Sequence, residues 1–257
     1  QIGELNDIKI DNMRYQHSHI MEHDQNKDLE ETEREDNEIR KYGLITVSIG
    51  EGLDTVFKEL NVDYIIPGGQ TMNPSTEDIL NAIDEVNGEN IIILPNNGNI
   101  VLAADQAKEL SHKNVYVFPT KTIPEGVTAL ISFDPELEIE ENLSAMEEAV
   151  TYVKTGQVTY AVRDTEIKES KINKDDIIGI SKGEIVSIGN DVQQVSLELL
   201  GSMIDDDSSL ITIYYGNGIE EKMAFELSEK LEEEFEDFDI EVVFGGQPLY
   251  YYIFSIE

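Results

Sequence analysis

Short apolar runs alternate with amphipathic stretches from residue 43 onward, and nothing before residue 43 does so. Leu44-Ile-Thr-Val-Ser-Ile reads as a strand, followed by Gly50-Glu-Gly52 and a helix from about Leu53 to Leu60. Tyr64-Ile-Ile ends in Pro67-Gly-Gly-Gln, and Ser75-Thr-Glu-Asp opens a helix with a capping-box arrangement. Ile91-Ile-Ile-Leu ends in Pro95-Asn-Asn-Gly-Asn ahead of a helix to about Leu110, and Val115-Tyr-Val-Phe stops at Pro119. Near-continuous apolar strands separated by helices predict a parallel sheet covered on both faces.

The stretch 134–155 predicts one long helix, with Leu143, Met146, Val150 and Val153 on one side, bridging two lobes. Beyond it, 158–162 and the turn-rich stretch to Gly189 predict antiparallel strands around Lys182-Gly183. A helix over 192–203, the strand Ile211-Thr-Ile-Tyr-Tyr and a helix over 220–235 follow, and then the strand Ile240-Glu-Val-Val-Phe and an apolar terminal strand. Two strands end in Gly-Gly-Gln, and two strand-to-helix joints carry Asn and Gly. These echoes predict two α/β lobes of related design, with mainly parallel sheets flanked by helices. The expected division is a remnant of a preceding domain over 1–21, an acidic linker over 22–42, a first lobe over 43–134, a connecting helix over 135–156 and a second lobe over 157–257.

Composition then changes the picture. Asp and Glu number 54 against 18 Lys and Arg, a formal net charge of −36. The field of such a chain repels nucleic acid and anionic membranes and draws in basic surfaces. The acids gather in the linker, in 134–148, which holds no base, and in 205–241. Salt adaptation explains this poorly, because such chains favour Asp and Ala, whereas this one favours Glu and Ile and keeps Lys. Glu136, Glu138, Glu140, Glu141, Asp205, Asp206, Asp207, Glu220, Glu221, Glu232, Glu233, Glu236 and Asp237 are therefore the partner-binding candidates, on faces expected around the cleft between the lobes. The apolar fraction of 40% supports a sizeable core. The absence of cysteine excludes disulfide and thiolate chemistry and suits a reducing cytoplasm.

Glycine-rich turns are the other candidates. Ligands of open parallel sheets bind where strand ends meet helix starts, which singles out Gly50-Glu-Gly52 and, as cleft residues, Gly68, Gly69, Gln70, Asn96, Asn97, Gly216, Asn217, Gly245, Gly246 and Gln247. None completes a dinucleotide fingerprint or a P-loop, and tight turns alone account for most such glycines. His17, His19 and His23 have metal-ligand spacing but stand where the remnant gives way to the polar linker, with no ligand cage, so no metal is assigned. His112 reads as a surface residue. No catalytic residue is assigned, since no nucleophile-and-base pattern occurs.

The strings Ile65-Ile-Pro-Gly-Gly-Gln-Thr-Met-Asn-Pro-Ser75, Leu94-Pro-Asn-Asn-x-Asn99 and Gly245-Gly-Gln-Pro-x-Tyr250 resemble the C-terminal domain of the bacterial fatty acid kinase FakA. Gln1-Ile-Gly-Glu-Leu and Ile8-Lys-Ile-Asp-Asn-Met look like the end of that family's middle domain. The resemblance implies a fold similar to DegV-family fatty-acid-binding proteins. It also implies a parent enzyme with a dihydroxyacetone-kinase-like nucleotide domain, using ATP and magnesium to phosphorylate a fatty acid held by a separate DegV-family carrier protein, FakB. The acyl-phosphate so formed serves phospholipid synthesis. Family catalysis uses a Cys and a His-x-His pair in the middle domain. This chain has no Cys, and His17-Ser-His19 comes after the middle-domain-like strings and not within them, so no kinase activity and no cofactor are expected of it. The expected role is a docking module for the carrier; the competing expectation is a DegV-like binding domain with a fatty acid or other small ligand between its lobes.

Overall fold

Strand alternation builds two sheets in the computed structural model, which describes residues 39–68, 73–167 and 170–257. The expected domain remnant, most of the acidic linker, the three linker-region histidines, Gly69 and Gln70 lie outside the described residues. The first sheet has β1 (Arg40–Ser48), β2 (Tyr64–Pro67), β3 (Gly88–Leu94) and β4 (Asn114–Val117) in the order β2-β1-β3-β4. β1 runs parallel to β2 with Ile45 opposite Tyr64, and β3 runs parallel to β4 with Asn90 opposite Asn114. Its helices are α1 (Glu51–Glu59), α2 (Thr76–Glu85), α3 (Gly98–Leu110), α4 (Ile123–Ile131) and α5 (Ile139–Val150).

The unbroken apolar runs follow from this layering. Ile45, Val47, Ile91 and Ile93 pack with Ile79 and Ile83 of α2 and Ile100 and Ala104 of α3. Their neighbours Leu44, Ile92 and Leu94 point to the opposite face, where Phe57 of α1, Val127 and Leu130 of α4, and Met146 of α5 cover them. Successive side chains on a strand face opposite ways, so a doubly covered strand needs both kinds of position apolar.

The second sheet adds β5 (Lys154–Tyr160), β6 (Thr165–Ile167), β7 (Ser170–Ile172), β8 (Ile177–Ser181), β9 (Glu184–Gly189), α6 (Val192–Met203), β10 (Leu210–Tyr215), α7 (Glu221–Glu234), β11 (Asp239–Phe244) and β12 (Tyr252–Ile256). Its order is β11-β10-β12-β5-β8-β9, with β6 and β7 forming a separate two-stranded ribbon. Here the expectation of a mainly parallel sheet needs correction. β10 and β11 are parallel, but the other four pairings are antiparallel. Lys182 and Gly183, at φ 51° and 78°, form the two-residue turn between β8 and β9, a connection open only to antiparallel neighbours. β12 returns between β10 and β5, antiparallel to each. Ile211, Ile213, Tyr252 and Phe254 turn toward α6 and α7, burying Leu199, Leu200, Leu227 and Leu231.

Two expected boundaries move. Strand β1 begins at Arg40 instead of after residue 42, because the chain is already tied down there: Tyr42 Oη donates to Leu137 O at 2.7 Å and Lys41 Nζ to the same oxygen at 2.9 Å. The connecting helix shrinks from 135–156 to Ile139–Val150. Buried Asn142 clamps the turn before it, accepting from Asp134 N and donating to Asp134 O, both at 2.8 Å. Thr151 Oγ1 donates to Glu148 O at 2.6 Å at the far end, and β5 starts at Lys154. The helix therefore packs on the first sheet through Ile139, Leu143 and Met146 and is no free-standing bridge.

The two sheets meet through two glycine turns. Gly50 gives α1 no capping side chain; Leu53 N, in its first turn, donates instead to Gly245 O of the second lobe at 2.9 Å. A Cβ on Gly52 would lie 1.9 Å from Phe244 O, and one on Gly50, at φ 125°, would lie 2.5 Å from Gly245 O. Leu53, with no exposed surface, packs with Tyr214 and Ile253 across the seam, joined by Ile123, Val243 and Tyr250. Burying one leucine contributes about 1.5–3 kcal/mol. Farther along, Thr122 and Thr155 share a hydroxyl hydrogen bond at 2.8 Å, and Thr128 Oγ1 donates to Glu257 Oε1 at 3.0 Å. In denaturant titration Gly52→Ala is expected to lower stability by about 1–3 kcal/mol or more, as overpacking does. Gly201→Ala, in helix α6 with open space around it, is expected to raise it by about 0.5–1 kcal/mol.

Candidate functional site

The carboxyl ends of the first sheet's strands converge on the second lobe, where sequence placed the ligand cleft. A cavity of about 50 Å³ lies there, and Gly68, Asn96, Asn97 and Gln247 of the expected cleft residues line it. Val47, Ile49, Leu53, Ile100, Ile123 and Ile253 make most of its wall apolar. Lys121, Gln157 and Tyr250 complete it and escaped the sequence reading. Tyr250 had a signal, since it closes the Gly-Gly-Gln-Pro-x-Tyr string; Gln157 had only its place on a strand. The remaining candidates Gly216, Asn217, Gly245 and Gly246 do not line the cavity. They build the turns behind it: Gly245 N and Gly246 N both donate to Tyr215 O, and Asn217 N donates to Gln247 O. A Cβ on Gly216 would lie 2.1 Å from Tyr250 O.

Asn96 is occupied by its own protein. It sits at φ 53°, in the left-handed region that asparagine tolerates. Its Nδ2 donates to Thr46 Oγ1 at 2.8 Å and Val47 O at 3.0 Å, while Thr120 Oγ1 donates to its Oδ1 at 2.8 Å. The side chain thus ties the end of β1 to the loops after β3 and β4. Asn97 Oδ1 accepts from Asn99 N at 2.9 Å as the cap of α3. Gln247, 1% exposed, donates from Nε2 to Tyr214 O at 2.8 Å, leaving Oε1 without a protein partner.

These facts limit the chemistry. Drug-sized ligands occupy pockets of about 300–1,000 Å³, so a cavity of about 50 Å³ has room for water, not an acyl chain. The α1 N-terminus, an anion site in many α/β proteins, is closed by the Gly245 carbonyl. Among the described residues no cluster of three His, Cys, Asp or Glu could hold a metal, and no helix is long and apolar enough to cross a membrane. His112 is exposed between α3 and β4.

The acidic candidates are all exposed, but they do not surround the cleft as expected. Residues 136–141 lie beside the start of β1, where Lys41 Nζ meets Glu138 Oε1 at 3.2 Å. Residues 205–207 precede β10, and 232–237 precede β11. These two segments, the second being the end of α7 and the loop after it, adjoin, since Asp239 N donates to Ser209 O at 2.9 Å. All three groups thus stand at the amino ends of the strands, opposite the cavity. Only Glu220 and Glu221, after β10, flank the cleft end. The cause is topological: loops entering parallel strands lie at one end and loops leaving them at the other. Asp205 is held below the usual carboxylate range by hydrogen bonds from Lys154 and Ser208.

Tyr214 and Tyr250 at the seam and Tyr252 in the core under α6 and α7 are all sheltered from water. Tyr250 and Tyr252 are each pushed up to about 12, by loss of hydration first and, for Tyr252, by Glu226 next. Tyr214 is raised further, by burial and then by Glu257 and Glu241. These phenols keep their protons in the folded state at pH values where an unfolded chain, near 10, has lost them. Stability is therefore expected to fall as pH rises from about 10 toward about 12, with delayed phenolate absorbance in spectrophotometric titration. Asn96→Ala is expected to cost about 1–3 kcal/mol for each buried group it orphans, measured by denaturant unfolding, with the largest loss of amide protection at 46–47 and 120.

Comparison with known proteins agrees with this architecture. Residues 43–257 match the family of FakA-like (fatty acid kinase) C-terminal domains. Protein YloV of Bacillus subtilis (strain 168) is 42% identical over 259 residues, a match covering 99% of this chain and 46% of that protein. The chain thus spans about half the length of the curated relatives it matches. A fatty-acid-binding DegV-family protein of Thermus thermophilus superposes with a TM-score of 0.58 at 13% identity, over 84% of this chain and 99% of that one. The Streptococcus pneumoniae fatty acid kinase B3 protein, loaded with linoleic acid, does so with a TM-score of 0.54 at 13% identity, over 84% and 99%. At such identities the likeness is one of fold. With the family match covering both sheets and the seam between them, the chain belongs to the FakA-like fatty acid kinase family, as its C-terminal region.

Proposed function

We propose that this region is a non-catalytic docking domain, which captures a DegV-family fatty-acid carrier through acidic surfaces and presents it to the kinase domains of a longer protein. In this reading ATP and magnesium are bound elsewhere in that protein, where the carrier's fatty acid becomes an acyl-phosphate for phospholipid synthesis in the cytoplasm. The observation that carries it is the adjoining pair formed by the loop 205–207 and the end of α7 with the loop after it, 232–237. Asp206, Asp207, Glu232, Glu233, Glu236 and Asp237 are exposed there, and no described Lys or Arg forms an ion pair with them. Each acid at the C-terminal end of α7 also opposes the helix dipole, by about 0.3–1 kcal/mol. Stability alone gives no reason to keep them, whereas a basic partner does. The competing reading, a fatty acid held between the lobes, finds a cavity several times too small.

Charge complementarity acts mainly on encounter rate and orientation and weakens with salt. Affinity for a DegV-family fatty-acid carrier, measured by calorimetry, is expected to fall about tenfold or more between about 50 mM and 500 mM salt. Glu232→Lys with Glu233→Lys and Glu236→Lys is expected to slow association at least about tenfold at low salt while leaving the unfolding midpoint nearly unchanged. Binding that stays level across that salt range would end the electrostatic account.

A further inference from the structure

A broad concavity lies not in the cleft but along the open edge of the first sheet. β2 is an edge strand, so Tyr64–Pro67 have no strand neighbour on their outer side among the described residues. Helix α2 runs beside it, and between the two lies a groove of about 790 Å³. Tyr64, Ile66 and Pro67 supply its apolar side. Asp78, Asn81, Asp84 and Glu85 supply the other, and their spacing of three, three and one residues sets them in a stripe along α2.

The groove is negative, and no base among its lining residues offsets it. Asp78 is ionised well below neutral pH, because Ser75 Oγ and then Ser75 N donate to its carboxylate, at 2.7 and 2.8 Å. Lys113, at the C-terminal end of α2, places its ammonium on the carbonyls of Ile83, Asp84 and Val86 at 2.8–2.9 Å and leaves the carboxylates alone.

An open strand edge, an apolar strip and a row of carboxylates define one kind of occupant. We infer that the groove receives an extended, Lys- or Arg-bearing segment of the carrier, added as a strand beside β2 with its basic side chains over Asp84, Glu85 and Asn81. Main-chain hydrogen bonds to an edge strand supply affinity in such complexes, and alternate side chains supply register. This rests on the docking function proposed above and gives it a place: the acidic loops at the strand starts draw the carrier in, and the groove holds it.

Hydrogen exchange of the full chain, alone and with a DegV-family carrier, tests this. Slowed exchange at 64–67 and 76–85, together with at least tenfold weaker binding by Asn81→Lys, Asp84→Lys, Glu85→Lys, is the expected result. Asp78 is left intact in that variant because it caps the helix, and an unchanged far-ultraviolet spectrum shows that α2 still folds. A carrier that binds with its footprint elsewhere, or that binds the triple variant as tightly as the parent chain, overturns the groove and leaves the docking function standing. A carrier that does not bind at all overturns both.

Discussion

The rest of this structure depends on a helix that is capped by another lobe. Helix α1 starts at a glycine turn with no side chain to satisfy its first amides, and the Gly245 carbonyl accepts from Leu53 N instead. That hydrogen bond requires main chain to meet main chain, which explains the glycines at 50, 52 and 246; at Gly245 a Cβ would instead lie 2.1 Å from Gln247 Oε1. It also brings Leu53 onto Tyr214 and Ile253, so the seam gains its apolar core from the same contact. One backbone bond would contribute only about 1 kcal/mol; the joint is strong because the close approach it permits buries the cluster around it.

The joint also redirects function. Open α/β sheets offer their carboxyl ends to ligands because loops there are splayed and helix amides point inward. Here those amides have a partner, Asn96 is consumed by Thr46, Val47 and Thr120, and what remains is a cavity of about 50 Å³. The polar groups that serve as ligand contacts in other α/β folds serve here as internal fastenings. In the docking function proposed here, the partner is met on the outer surface, where the charge is.

Sequence made the first sheet legible because a doubly covered parallel strand has only one pattern, a continuous apolar run, and Ile91 to Leu94 show it plainly. The capping box at Ser75 and Asp78 was legible for the same reason: its chemistry is local. The second sheet was harder. The terminal strand, read over Tyr250 to Ile256, forms over Tyr252–Ile256, but its insertion between β10 and β5 is a long-range choice that no short window encodes. The cleft glycines were found by a rule about strand ends that is sound on average. What they do at those ends is decided by Gly52 facing Phe244 O from a distant part of the chain. The late start of α5 had no such local signal, since the clamp between Asn142 and Asp134 that fixes it forms only once the turn has folded.

The acidic run over 205–241 is continuous along the chain, and the fold divides it. Helix α7 has 14 residues, roughly 21 Å at 1.5 Å per residue, and sets Glu220 and Glu221 at its start apart from Glu232, Glu233, Glu236 and Asp237 at and beyond its end. The Debye length at physiological salt is about 8 Å. Across more than two such lengths the two ends of α7 act as separate patches, and the cleft end feels little of the charge at the other. A partner guided by this field is therefore turned toward the amino ends of the strands before it touches anything. Orientation of that kind matters more for a carrier than for a free metabolite, since a carrier must present one particular opening to the chemistry that follows.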